Sequence, residues 1–344
     1  MLKTLRWVGA GLLVLALAVF AIFCITEYRP DEFEELRVTP VSASRKLQIG
    51  DKLTLLSFNT GHGCMGRDSE VEGKNSKVTT SAVQAKENVL GILNTVAGVQ
   101  PDLCLLQDVD MASARSGQQN QNEEYRRSLG MEAAFATSQK NFFLPGPPMG
   151  SVENGLMTSS SFTMSRATRE ALTDEYRWPA SIFQSRHCLL TCRFEIEGTD
   201  RELVVFNLQM EKCQNEQIRR MHWQQLLAAM ELEYRNGNAV IAGGSFGYAF
   251  DGGAAFPPLK EEDALPALKA ESLPAGISCF YDGTVPSRRL ADHPYTGDRS
   301  DTQFYVCDGF LVSDNVKVSR VSTLDMNFMY SSHNPVLLEI TLKE

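Results

Sequence analysis

The chain has 344 residues, of which 43% are hydrophobic and 22% charged, an ordinary globular composition with enough material for a sizeable core. Its net charge of -9 argues against broad electrostatic binding to nucleic acid or anionic lipid. No CxxC or Cys/His spacing points to zinc, and the seven cysteines beyond Cys24 are an odd number that makes no tidy disulfide framework.

The N-terminus differs in kind from the rest. After Lys3 and Arg6, residues 7–25 carry no charge and are about long enough to span a bilayer. Two basic residues before the run and Glu27, Asp31, Glu32, Glu34 and Glu35 after it predict a single-pass membrane protein, with the N-terminus cytoplasmic and the domain extracytoplasmic. The competing reading is a cleaved signal peptide. Such a peptide has a shorter apolar core and a small-x-small cleavage site, and Phe23 before Cys24 disfavours lipoprotein cleavage. The expectation is therefore a membrane anchor over 1–26, a polar Pro-containing linker over 27–50, and one domain over 51–344.

Within the domain, residues 52–59 predict a buried strand and residues 60–80 a polar surface loop. Residues 81–99 have helical spacing, with Val83, Val89, Leu90, Leu93 and Val96 as the predicted inner face. A second buried strand fills 101–110, and a helix is predicted over 122–129. Short strands follow at 133–136 and 155–158, joined by a segment that Pro145, Pro147 and Pro148 keep from being regular helix. A hairpin over 186–196 and 201–208 turns at Gly198. Residues 216–235 form an amphipathic helix with Ile218, Met221, Leu226, Ala229, Met230 and Leu232 inward. The short apolar run 239–242 is a buried strand ending in Gly243-Gly244, where backbone can approach a neighbour closely. A long irregular stretch over 250–302 precedes closing strands at 303–313 and 335–342. Strands outnumber helices, and hairpins mix with crossover helices, which predicts one α/β domain with two sheets and outer helices.

Polar residues stand at five strand ends: Asn59, Gln107-Asp108, Asn207 to Gln209, Ser245 to Gly247 and Ser331 to His333, with Asp308 inside another strand. In this order, SFN at 57–59, PDLCLLQDVD at 101–110 and SSHNPV at 331–336 resemble the first, PD-x-x-x-LQE and terminal SDH-x-P motifs of the endonuclease/exonuclease/phosphatase superfamily. The similarity covers most of the chain from Leu53 onward, and FLPGPPMGSVENGLMTSSS, EYRWPASIFQSRHCLL and CDGFLVSDNV resemble a membrane-anchored bacterial branch of it. The resemblance implies a DNase I-like four-layer α/β sandwich, two packed mixed sheets flanked by helices, preceded here by one transmembrane helix. It also implies Mg²⁺-assisted phosphoester hydrolysis, in which oxygen ligands hold a hard cation against charge developing on the phosphoryl group.

Carried over residue by residue, the match is partial. Asn59 and Asp108 fall at the metal positions, Asp108 where the family has the longer Glu. Asp308 and His333 match the retained catalytic pair. Gln209 replaces a His and cannot shuttle protons; Ser245 and Gly247 replace the Asp and Asn of a D-x-N pair; Ser332 replaces the Asp before the terminal His. Loss of one positioned acid–base group costs ~100- to 10,000-fold in rate, and losses within one unit do not multiply. The expectation is a pseudoenzyme with a binding or scaffolding role, its cofactor Mg²⁺ if active and none otherwise. The alternative is an active, diverged metal-dependent phosphodiesterase or phosphatase. Expected partners are the membrane and a phosphoester or lipid-headgroup ligand rather than nucleic acid.

Plainer roles stand beside these. Asn59 can satisfy a strand-to-loop turn, and Asp308 with His333 can be a buried packing pair. His62 is expected as a loop residue with some chance of replacing a lost ligand, His222 as a partly exposed helix position, and His187 as packing. Asp251 lies too far along its loop to replace a strand-end ligand.

Overall fold

A computed structural model describes residues 2–42, 44–69, 80–144, 150–174, 176–210, 215–269 and 273–343. In chain order the helices are α1 (Leu2–Thr26), α2 (Ala82–Val99), α3 (Gln121–Leu129) and α4 (Glu216–Arg235). The strands of the first half are β1 (Phe33–Glu35), β2 (Lys52–Asn59), β3 (Leu103–Asp110), β4 (Glu132–Leu144), β5 (Gly150–Ser160), β6 (Arg166–Ala171) and β7 (Cys188–Glu195). Those of the second half are β8 (Glu202–Gln209), β9 (Ala239–Ser245), β10 (Ile277–Phe280), β11 (Arg288–Arg289), β12 (Phe304–Tyr305), β13 (Asp308–Ser313), β14 (Val316–Thr323) and β15 (Val336–Leu342).

Among the described residues the strands make two large mixed sheets, in the orders β1-β6-β7-β8-β9-β13-β10 and β14-β15-β2-β3-β5-β4. Period-2 alternation of the central strands explains the layering. Leu55 of β2, Leu105 of β3, Val205 of β8 and Ile241 of β9 share one apolar cluster between the sheets. Their neighbours face outward under helices. Leu56 and Leu106 pack with Val89, Ile92 and Tyr125 of α2 and α3, while Val204, Val240 and Ala242 pack with Trp223, Leu226 and Met230 of α4. The result is helix, sheet, sheet, helix, as the sequence resemblance implied.

Two glycines explain how β9 reaches the centre of its sheet. A Cβ on Gly244 (φ +150°) would lie 2.0 Å from the Leu208 carbonyl oxygen, and one on Gly243 would lie 2.6 Å from the Phe310 ring. Only glycine lets the neighbouring strand and ring come so close.

Several expectations are corrected. Residues 27–50 do not stand clear of the domain as a linker. β1 pairs with β6, and single bridges join Thr39 to Ala133, Arg45 to Phe162 and Leu47 to Ile196, so the segment is stitched along both sheets. On α2, Val83 and Leu90 are 70% and 45% exposed. The buried stripe runs instead through Ala85, Asn88, Val89, Ile92, Leu93 and Val96, and counting only large apolar side chains displaced it. On α4, Met221 and Leu232 point outward, and His222 and Trp223 take the inner face. His222 is fully buried, its Nε2 2.7 Å from the Thr173 carbonyl oxygen, which is the partner an imidazole needs to enter a core. Strands β1, β6 and β14 carry too few apolar residues to register as strands in the sequence.

Candidate active site

The two parallel pairs at the sheet centres bring the polar strand ends together. Asn59 lies beside Gln107 at the ends of β2 and β3, and Gln209 beside Ser245 at the ends of β8 and β9. Ser245 in turn faces Asp308 at the start of β13. Asn207 ties the sheets at this level: its Oδ1 accepts from Gln107 Nε2 at 2.8 Å, and its Nδ2 donates to the carbonyls of Leu106 (3.1 Å) and Met157 (2.9 Å). One step further along β8, Gln209 Nε2 donates to Asp108 Oδ2 at 2.7 Å. Asn59, Asp108, Gln209, Ser245, Asp308, Ser332 and His333 are thus gathered at one end of the sandwich, and all are buried.

Asp308 and His333 form a close pair, with Asp308 Oδ2 2.9 Å from His333 Nδ1. The carboxylate holds the ring with Nε2 turned away from it, the orientation a base or phosphate ligand needs. Their backbone is fixed from both sides. The Asp308 amide donates to Ser287 Oγ at 3.0 Å, and Ser331 Oγ donates to the Asn59 carbonyl at 2.7 Å. Ser332 contributes no charge here; its hydroxyl lies 4.0 Å from Met65 Sδ, and its carbonyl accepts from the Arg289 amide.

Asp108 is surrounded by groups that, His62 apart, the sequence reading left outside the site. A register shift between Leu106 and Val109 bulges β3, and Asp108 sits in it at φ +54°. His62 (φ +58°) faces it from a Gly61-His62-Gly63 turn whose three residues all have positive φ. A non-glycine residue held there stores of order 1–3 kcal/mol, and the two strained residues meet side chain to side chain. His62 Nε2 lies 3.3 Å from Asp108 Oδ1, and its Nδ1 lies 3.4 Å from Asp110 Oδ1 and 2.9 Å from Arg115 Nη2. His62 Nδ1 thus lies between the Arg115 guanidinium and the Asp110 carboxylate, while Nε2 faces Asp108.

Behind this layer Arg115 grips Asp110 with Nη2 to Oδ1 at 2.7 Å and Nε to Oδ2 at 3.1 Å, and Ser116 Oγ adds a donor at 2.8 Å. Burial alone would raise the Asp110 carboxyl, but the charges of Arg115 and His62 and their hydrogen bonds outweigh it and hold the group well below the usual carboxylate range. Gln121 at the start of α3 closes the cluster, donating to the His62 carbonyl at 2.6 Å and accepting from the Asp110 amide at 3.1 Å. Asp110, two residues past Asp108 on the same strand, and the glycine-flanked His62 are the sequence signals that mark this cluster.

The residues present do not suit a divalent cation. Asn59 Oδ1 accepts from the Gly61 amide at 3.0 Å. Asp108 has Gln209 on one oxygen and His62 with Asn154 Nδ2 (3.4 Å) against the other. Among the described residues no three His, Cys, Asp or Glu side chains converge as a metal set. A cavity of about 10 Å³ lies beside Asp108, lined by Ser138, Asn154, Ser185, His187 and Gln209, with room for about one water.

The remaining expectations resolve simply. Ser245 is fully buried with its carbonyl accepting from the Met210 amide, and Gly247 turns the chain at φ +68°. Asp251 caps its own turn through the Gly253 and Ala255 amides. His187 packs 5.4 Å from the His222 ring and lines the small cavity rather than sitting in a plain apolar core. The thiols of Cys104 and Cys192 are pushed up to about 12 by burial, and Cys64, expected in a loop, is buried with its thiol also up to about 12.

No sequence-family profile matches the chain, and no curated protein matches it. Solved structures do. An endonuclease/exonuclease/phosphatase from Beutenbergia cavernae shares 13% identity at a TM-score of 0.60, the match covering 85% of this chain and 72% of that one. The human Nocturnin catalytic domain, solved with a bound sulfate anion, shares 15% identity at 0.53, covering 89% and 97%. ANGEL2, a 2',3'-cyclic phosphatase, shares 12% at 0.54, covering 90% and 99%. At these identities the likeness establishes architecture, and it agrees with the layers and strand order described above: this chain has the DNase I-like fold of the endonuclease/exonuclease/phosphatase superfamily.

Proposed function

We propose that the chain is a membrane-anchored protein of this fold whose cleft has lost metal-assisted hydrolysis and keeps a binding or scaffolding role toward a phosphoester-bearing ligand. The observation that carries this reading is the state of Asp108. At the position of the family's metal carboxylate, its oxygens face the Gln209 amide and the His62 ring. Ser245 and Gly247, which stand where a carboxylate and an amide are expected, supply neither charge nor a carbonyl side chain in compensation. A metal brought to this site has to displace hydrogen bonds to Asp108 that are already made, in a buried setting where leaving a partner unpaired is costly.

A second reading, a diverged active phosphodiesterase or phosphatase, is favoured by the Asp308–His333 pair at 2.9 Å, which retains the geometry of an oriented base. Hydrolysis of generic phosphodiesters and monoesters with Mg²⁺ or Mn²⁺, run beside calorimetric titration of each metal, separates the two. The proposal expects neither turnover nor metal heat. Turnover that disappears in His333→Ala overturns it and establishes the second reading.

The anchor rests on α1, in which Thr4–Thr26 has a mean hydropathy of 2.8 and no burial within the domain. Lys3 and Arg6 before it and the acidic cluster after it support a cytoplasmic N-terminus and an extracytoplasmic domain.

A further inference from the structure

The C-terminal end of α1 is packed against the domain rather than projecting from it. The Phe20 ring meets Trp178 edge-on with centroids 5.8 Å apart, and Phe23 meets Phe183 at 5.1 Å. Just past the helix, Glu27 accepts from Arg186 Nη2 at 2.8 Å and from Ser181 Oγ at 3.1 Å, its side chain only 3% exposed. Tyr28 Oη donates to the Thr137 carbonyl at 3.3 Å. The segment that receives the helix is in turn held to β4: Asn141 Nδ2 donates to the Ile182 carbonyl at 2.6 Å, and the Arg186 amide donates to the Ser138 carbonyl at 2.6 Å.

Depth follows from these contacts. Phe20 precedes the end of the span at Thr26 by six residues, ~9 Å along a helix rising 1.5 Å per residue. A side chain of the domain that touches Phe20 therefore lies below the level at which α1 leaves the apolar layer. Trp178 is nevertheless 55% exposed, Phe142 beside Asn141 on β4 is 67% exposed, and Tyr176 is 36% exposed. Large aromatic rings left bare around the foot of an apolar helix have the chemistry of the bilayer interface, where an apolar ring with a polar edge is at its most stable.

We propose that residues 176–183 together with Phe142 form a collar that docks the globular domain onto the bilayer, with Trp178 inserted at the boundary of headgroups and acyl chains. The occupant of this face is a lipid surface, because the helix emerging through it is itself apolar on every side and exposed over most of its length. The proposal rests on the reading of α1 as a membrane helix. The collar also runs directly into Ser185 and His187, which line the cavity beside Asp108, so docking brings one rim of the candidate site to the membrane.

The three tryptophans provide the test on the full chain. Trp7 lies in α1, Trp178 in the collar, and Trp223 in the core against Phe246 and Tyr248. The full chain and its Trp7→Phe, Trp178→Phe and doubly substituted forms are reconstituted in phosphatidylcholine vesicles whose lipids are brominated high on the acyl chains. Unbrominated vesicles and circular dichroism serve as controls for emission and fold. The expected result is quenching in Trp7→Phe that is lost in the double variant, where only Trp223 emits. Equal, negligible quenching in Trp7→Phe and the double variant, with Trp178→Phe still quenched through Trp7, overturns the collar while leaving the anchor in place. Absence of quenching in Trp178→Phe as well shows that α1 is not in the bilayer, and the anchor and the collar fall together.

Discussion

At the scale of single residues, the charge arrangement around Asp110 decides both stability and the character of the site. Arg115→Met leaves a buried carboxylate without its cation, and breaking such a pair by removing one partner costs about 3–5 kcal/mol; urea unfolding at neutral pH measures it. Because Asp110 has a folded-state pKa below its unfolded value, its contribution is fully present above about pH 4 and is lost as pH falls through the folded-state pKa. In Arg115→Met the burial effect is left with far less opposition, so the folded-state pKa rises toward the unfolded value and the acid-dependent loss from this group shrinks. Unfolding midpoints collected from neutral to acid pH for both proteins show this as a shallower descending limb in Arg115→Met, and limbs of equal slope refute it. His62 offers the complementary experiment. His62→Asp keeps a residue type that tolerates positive φ and replaces the ring facing Asp108 with a carboxylate. The variant is expected to bind Mg²⁺ more tightly than the parent by calorimetry, since hard oxygen donors then face one another across the turn.

At the scale of elements, helices are held by packing far more than by their ends. Ser81 caps α2 by accepting from the Gln84 amide at 3.2 Å, and Ser81→Ala is expected to cost ~1 kcal/mol. Leu226, fully buried between α4 and the sheet, is expected to cost about 2–5 kcal/mol as Leu226→Ala, according to how far the site collapses. Parallel denaturant titrations rank the two, and a cap cost equal to the core cost contradicts the account. The same contrast explains which elements can be read from sequence. β2, β3, β8 and β9 are continuous apolar runs because they are buried on both faces. Only Val316 and Thr323, the two end residues of the eight in β14, are buried, and its alternation is too weak to register. On α2 the buried Asn88 donates to the Gly63 carbonyl at 2.8 Å, so a polar residue holds an inner position that hydrophobic counting assigns to Leu90.

At the scale of the whole molecule, α1, the stitched segment 27–50 and the domain act as one object. β1 on the edge of β6 and the burial of Glu27 remove the slack that a linker provides. A single-pass anchor predicts that the full chain stays with membranes after alkaline carbonate extraction and is released by detergent. Release by carbonate alone rules out a spanning α1. A reporter fused after Glu344 checks the orientation, with activity expected only for a reporter that works outside the cytoplasm.

Chain chemistry by itself determined the apolar N-terminal span, the double-sided burial of the four central strands and, through ordered motifs from Ser57 to Val336, the four-layer fold. The apolar span and the buried strands are properties of local composition and period, which tertiary contacts do not alter; the four layers were implied by the resemblance of the motifs. The resemblance of its motifs also pointed to Asn59, Asp108, Gln209, Ser245, Asp308 and His333, which the parallel pairs β2–β3 and β8–β9 and the antiparallel pairing of β9 with β13 bring to one end of the sandwich. Only the tertiary structure decided what surrounds Asp108. His62, Asp110, Arg115 and Gln121 come from a turn, a bulged strand, a short helical turn and the start of α3. Their meeting depends on positive-φ backbone at His62 and Asp108, which no pattern of hydrophobicity encodes. The placement of α1 against Trp178 was decided in the same way, by aromatic contacts between segments more than a hundred residues apart.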